Sequence, residues 1–208
     1  MKNNLFTEIA LLFFFGVLTS LSLTPYNFFI INFFTFPLFY LFLNRKLIQK
    51  KNSKLFFLYG WSFGFGYFLT NLYWISISLT FDQSFKFFIP FTTILIPSFL
   101  ALFYGIISYL FKIFHPKNLV SSFLTFSLIF GIVEFVRGFI LTGFPWNLIV
   151  YSFSKQLEFL NITSIIGTYG LNLFCISLFT SPALFFLKRT KKNIAGLVNK
   201  EIQNKFNP

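Results

Sequence analysis

LVSSFLTFSLIFGIVEFVRGFILTGFPWN (residues 119–147) decides how this chain is read. Its first part, 119–141, is an apolar run long enough to cross a bilayer, which takes about 20 helical residues. Glu134 and Arg137 interrupt that run, and it then breaks at Gly143-Phe144-Pro145-Trp146. Three-residue spacing puts the carboxylate and the guanidinium on one helix face. Each alone costs about 2.5–3.5 kcal/mol at the centre of a membrane helix on insertion scales, so a retained pair either satisfies itself or lines a wet cavity. Two roles follow. The pair is a structural ion pair that fixes helix packing, with Arg137 reaching toward the headgroups, or it faces substrate, with Arg137 holding a lipid phosphate and Glu134 orienting it.

Five more runs resemble the first in length. They lie near 5–23, 26–43, 55–81, 87–111 and 159–187, and with 119–141 they predict six membrane-spanning helices. Helix is the expected state, because an open sheet edge cannot be satisfied in lipid. The predicted fold is therefore all-α: a polytopic bundle of about six transmembrane helices with no soluble domain. Leu23-Thr-Pro-Tyr-Asn27 joins the first two helices as a tight turn. The first run has a thin charged flank (Lys2, with Glu8 close behind) and no clean small-residue cleavage site before Pro25, so it is expected to be retained.

The composition agrees. The 208 residues are 56% hydrophobic and 11% charged, far from a soluble domain. A net charge of +12 invites a nucleic-acid reading, but the cations sit between apolar runs and form no basic face, so no nucleic acid is expected. Cys175 is the one cysteine and His115 the one histidine, which excludes an internal disulfide and a His-based or CxxC metal site. No metal and no cofactor are expected.

Lysine and arginine positions predict orientation. With the N-terminus inside, fourteen of the 17 lie in cytoplasmic segments, and Lys86, Arg137 and Lys155 fall on the other side. Both termini are then cytoplasmic, and the Pro25 turn, the Phe81–Ser84 loop and the 143–146 loop all face outward. Asn71, Tyr73 and Trp74 in the third span, and Asn161, Thr168 and Asn172 in the sixth, gather in the same outer halves. Ser121, Ser122 and Thr125 do not. The pattern predicts a cavity open toward the outer leaflet.

Trp146 reads either as an aromatic-belt anchor or as part of that cavity. Its neighbours favour the cavity, since Gly143 and Pro145 force non-helical chain at membrane depth, tolerated only where it is buried in protein or lines a cavity. Gly60, Gly64 and Gly66 predict close helix packing on the third span. Cys175 reads as an inert buried thiol. Residues 1–190 form the expected membrane domain and 191–208 a basic cytoplasmic tail, in which Ile194, Val198, Ile202 and Phe206 recur every fourth residue as in an interfacial helix.

Four blocks in order also resemble a known family: Leu21–Asn27; Gly60–Phe68 leading into Asn71–Leu79; Glu134–Asn147 with Tyr151-Ser152 after it; and Ile166–Asn172. Their wording and spacing resemble the N-terminal membrane domain of bacterial apolipoprotein N-acyltransferase, across nearly all of 5–187. The Glu-Phe-x-Arg-Gly…Thr-Gly-Phe-Pro-Trp block is the most specific. The resemblance implies an inner-membrane enzyme that moves an acyl chain from a phospholipid, through a cysteine thioester, to the N-terminal diacylglyceryl-cysteine of lipoproteins. It implies phospholipid and lipoprotein precursors as partners.

In that family the chemistry belongs to a nitrilase-like Glu-Lys-Cys domain. No part of that triad matches here, and Cys175 is in the wrong segment, so no catalytic residue is assigned and the chain is expected to be inactive alone. A separately encoded catalytic domain is an expected partner. The resemblance maps the lipid or substrate cavity onto Glu134, Arg137, Gly143, Phe144, Pro145, Trp146 and Asn172. Asn71, Tyr73 and Trp74, from the outer-half clustering, and Tyr151, just after the loop, complete the candidate set. Asp82-Gln83 departs from the family's usual glycine pair. The alternatives are a catalytically inactive lipid- or lipoprotein-binding paralogue, and a small transporter, for which no inverted repeat is seen.

Overall fold

A computed structural model describes residues 5–140 and 143–188. Among them there is no strand, and the long elements are helices. They are α1 (Leu5–Ser20), α2 (Asn32–Ile48), α3 (Ser53–Asn71), the short α4 (Tyr73–Ser78), α5 (Ile89–Phe114), α6 (Leu119–Phe139), the single turn α7 (Leu157–Leu160) and α8 (Thr163–Thr180). The stretches Lys86–Phe114, Leu119–Phe139 and Thr163–Lys188 are each long and apolar enough to cross a membrane. α1 and α2, at 16 and 17 residues, are shorter, and the 19-residue α3 carries glycine, serine and tyrosine along its length. The protein is an all-α membrane protein.

Six long helices close into a ring, packing in the order α1, α3, α5, α6, α8, α2 and back to α1. Aromatic side chains fill the middle. Phe39 stacks on Phe63 at 4.3 Å between ring centroids, Phe63 on Tyr104 at 6.0 Å, and Tyr104 meets Phe130 edge-on at 5.0 Å. In lipid this packing, and not water exclusion, holds helices together. Each such ring pair adds about 0.5–1.5 kcal/mol beyond its area.

The α3 glycines act as expected. A methyl group on Gly60 would collide with the Tyr104 carbonyl of α5, and one on Gly66 with the Phe13 carbonyl of α1. Gly16 of α1 meets the Phe63 carbonyl in the same way. Small residues on both faces of α3 therefore set its approach to two neighbours.

Several boundaries move. The expected 55–81 span is two helices, because α3 ends at Asn71 and Leu72 (φ −105°, ψ 7°) breaks it before α4. The second helix starts at Asn32 instead of 26: Asn27 (φ 57°) and the Phe28 N–H, which bonds the Leu21 carbonyl at 3.0 Å, hold 21–28 as a turn, and a 3-10 turn, Phe29–Ile31, follows. The last helix begins at Thr163 and kinks at Gly167 (φ 74°). The tail readings at 191–208 lie outside the described residues.

Alternating chain direction gathers the 21–31, 72–88 and 143–162 connections at one end of the ring. Contacts there include Ser154 Oγ donating to Asn27 Oδ1 at 2.6 Å. Glu8, Lys46, Ser53 and Lys112 mark the other end.

Candidate functional site

α6 delivers Glu134 and Arg137 to the interior of the ring just before it ends. Both are buried, at 0% and 1% exposure. Arg137 Nη2 donates to Glu134 Oε2 at 2.5 Å, the (i, i+3) geometry read from the sequence. Its Nη1 does something the sequence did not announce: it bridges two main-chain carbonyls, of Phe144 and Trp146, at 3.1 Å each. One guanidinium thus ties the helix to the loop that follows it. The fork geometry suits this task, since its donors point in several fixed directions at once.

The loop is held at more points. The Phe144 N–H bonds the Arg137 carbonyl at 3.1 Å, one of the carbonyls that a helix end leaves without an intrahelical partner. Tyr67 Oη donates to the Asn147 carbonyl at 2.8 Å, and the Val150 N–H donates to Asn172 Oδ1 at 3.0 Å. Gly143 has φ +75°, and a Cβ there would sit 2.5 Å from the Gly138 carbonyl oxygen, so glycine is required by conformation and by space. Leu148, Ile149 and Val150 then return the chain to the core, each fully buried.

Beneath this loop lies a cavity of about 320 Å³. Its floor is one face of α5 (Leu95, Ile96, Phe99, Leu100 and Phe103), and Arg137, Ile140, Gly143 and Phe144 form the facing wall. Among these residues Arg137 alone has a polar side chain. Its Cζ lies 5.3 Å from the Phe68 ring centroid and 5.8 Å from that of Phe144. Among the described residues Glu134 Oε1 and Arg137 Nε have no hydrogen-bond partner; the Tyr104 hydroxyl faces the same carboxylate without closing a well-formed bond. The chamber is apolar with one cationic edge already committed to protein, which suits a hydrocarbon chain better than a free anion.

A family model described as the apolipoprotein N-acyltransferase N-terminal domain matches residues 15–180. The chain belongs to this family. Proteins named apolipoprotein N-acyltransferase from Rickettsia prowazekii, Rhodopseudomonas palustris and Brucella melitensis are 38%, 35% and 32% identical to it over 176, 172 and 175 residues. These matches cover 84%, 81% and 81% of this chain and 34%, 32% and 33% of the relatives. The chain thus spans about a third of the length of the curated relatives it matches.

The family's matched region contains every residue expected at the site, and the structure sorts them. Arg137, Gly143 and Phe144 line the cavity, and Glu134 stands one hydrogen bond behind. Trp146, 54% exposed, packs on Trp74 with ring centroids 5.8 Å apart; Pro145 and Tyr73 are also exposed beside it. Asn172 and Tyr151 belong to the returning segment: Asn172 anchors Val150, and Tyr151 lies half-buried in the 3-10 turn Ile149–Phe153. Asn71 turns back on its own helix, donating to the Tyr67 carbonyl at 3.1 Å. The α5 floor and the Tyr67, Phe68 and Tyr104 surround were not foreseen. The floor has no signature, because its five α5 residues are ordinary apolar side chains of a membrane helix; tyrosines opposite an intramembrane ion pair were the available signal.

Proposed function

We propose that this chain is the membrane part of an apolipoprotein N-acyltransferase, and that the cavity under the 143–147 loop receives one acyl chain of the phospholipid donor. The cavity carries the reading. Its volume of about 320 Å³ stands at the low end of the roughly 300–1,000 Å³ typical of small-molecule sites. Its lining offers a slender apolar ligand dispersion contacts from α5 and from the facing wall, and no hydrogen bond to satisfy.

In this reading Arg137 is a positioning residue. Nη1 and Nη2 are used by Glu134 and two carbonyls, so it shapes the cavity roof and leaves the phosphate to other groups. Phe144 closes the roof, and Trp146 with Trp74 presents a ring surface of the kind found at membrane interfaces. The reaction would move an acyl group from a phospholipid ester to a cysteine thiolate, releasing the lysophospholipid alcohol. The free amine of a lipoprotein's diacylglyceryl-cysteine would then take the acyl group and return the thiol. We place that chemistry in a Glu-Lys-Cys domain outside these 208 residues, since Cys175 is fully buried on α8. These residues alone should bind lipid and anchor, without transferring acyl groups.

The proposed location is the bacterial inner membrane, with both termini cytoplasmic and the loop facing out. Lys46 and Arg137 are buried in ion pairs; without them the cation count still favours that orientation, thirteen against two.

The test is reconstitution with a nitrilase-like catalytic domain in phospholipid nanodiscs, with a diacylglyceryl-cysteine peptide as acceptor. Ile96→Trp, which fills the cavity floor, should cut acyl transfer at least about tenfold while the protein still inserts and folds; that corresponds to about 1.4 kcal/mol. Unchanged kcat/KM in that variant would overturn the cavity assignment.

A further inference from the structure

At the opposite end of the ring a second polar cluster is built around a buried lysine. Lys46 Nζ donates to Glu8 Oε1 at 2.5 Å and to Gln49 Oε1 at 3.3 Å, and it lies 5.0 Å from the Phe42 ring centroid. Tyr59 Oη donates to the other Glu8 oxygen at 2.6 Å. Both Glu8 oxygens are therefore occupied, while the ammonium has three donors and two named acceptors.

A hollow of about 100 Å³ adjoins this cluster, lined by Thr7, Glu8, Leu11, Phe42, Arg45 and Lys46. Arg45 is exposed and has no ion-pair or hydrogen-bond partner among the described residues. Glu8 cancels Lys46, so the guanidinium at the mouth is surplus positive charge, and Lys50, Lys51 and Lys54 follow it in the chain.

We propose that this hollow binds the phosphate of an anionic phospholipid, drawn from the leaflet that carries the basic 45–54 segment. Arg45, the spare Lys46 proton and the exposed Thr7 hydroxyl supply its donors. The hollow is too small for an acyl chain, but two stripes lead away from it into the bilayer. Thr7, Leu11 and Phe14 follow one face of α1 at helical spacing, and Arg45, Phe42 and Leu38 follow one face of α2. Leu11, Phe14 and Leu38 are 43%, 54% and 44% exposed, which suits contact with a lipid tail. Charge selects the headgroup: a zwitterionic lipid would bring its own cation toward Arg45, whereas an anionic one brings none. The site lies at the other end of the bundle from the acyl cavity and does not depend on it.

Native mass spectrometry of the full chain in a neutral detergent tests this, with phosphatidylglycerol and phosphatidylcholine titrated separately. Phosphatidylglycerol should bind at least about fivefold more tightly, and Arg45→Gln should remove that preference. Arg45 is exposed, so the variant should keep its helical circular dichroism. Lys117→Gln, which removes the same charge from the α5–α6 connection, should leave the preference within about twofold. Retained selectivity in Arg45→Gln, an equal loss in Lys117→Gln, or inorganic phosphate alone binding as tightly as the lipid would each overturn the proposal.

Discussion

Replacing Arg137 by Gln removes the charge that Glu134 faces and the donors that hold two loop carbonyls. The partners lie at 2.5 Å for Glu134 and 3.1 Å for each carbonyl, and both charged side chains are buried. Breaking one side of a buried ion pair costs about 3–5 kcal/mol, because the remaining charge is stranded. Glu134→Gln strands Arg137 in turn; its two carbonyl contacts soften the loss, which places it near 3 kcal/mol. The double variant strands no charge. Losing the pair as a unit is close to neutral, which leaves the two hydrogen bonds to carbonyls, about 1 kcal/mol each. Two single changes summing to roughly 6–8 kcal/mol should therefore combine to only about 2 kcal/mol. The assay is reversible unfolding of the reconstituted protein by titration with a denaturing detergent, run on all four members of the cycle. Additive losses, or single variants within about 0.5 kcal/mol of the parent, would refute the view that Arg137 is a buried clasp.

Other outcomes follow from the same geometry. Gly143→Ala should cost about 1–3 kcal/mol through left-handed strain and the approach to the Gly138 carbonyl, and should expose the 143–147 loop to proteolysis in nanodiscs. Glu8→Gln should destabilise by taking the carboxylate from Lys46, whereas Glu8→Gln with Lys46→Met should recover most of that loss in the same detergent titration. Gly66→Leu should drive α3 from α1 and lower the thermal midpoint, because Phe13 main chain occupies the space its side chain needs. Cys175 should resist maleimide in the folded protein and react once unfolded.

Apolar run length made six long helices legible, and family wording pointed to a candidate site at the end of the fifth span. Helix ends were less legible. Phe28–Ile31 is as greasy as the helix it precedes, so nothing in composition shows that the left-handed Asn27 delays α2 until Asn32. Leu72 likewise gives no warning that α3 stops there. The Glu134–Arg137 pairing could be read from spacing; the clasp on Phe144 and Trp146 could not, because its acceptors are backbone carbonyls that every residue carries. Lys46 was hidden by its company. Among Arg45, Lys50, Lys51 and Lys54 it looks like one more solvated cation, and only the fold brings Glu8 and Tyr59 to it. The α5 cavity face was beyond reach for a similar reason: Leu95, Ile96, Phe99, Leu100 and Phe103 do not differ in type from the lipid-facing residues of the same helix.

The most direct test of the acyl cavity is photo-crosslinking in nanodiscs with a phospholipid carrying a diazirine near the end of one acyl chain. The account predicts adducts concentrated on the 95–103 segment of α5 and on 137–144, lost in Ile96→Trp. Labelling spread over the exposed outer faces of α6 and α8, with α5 spared, would contradict it.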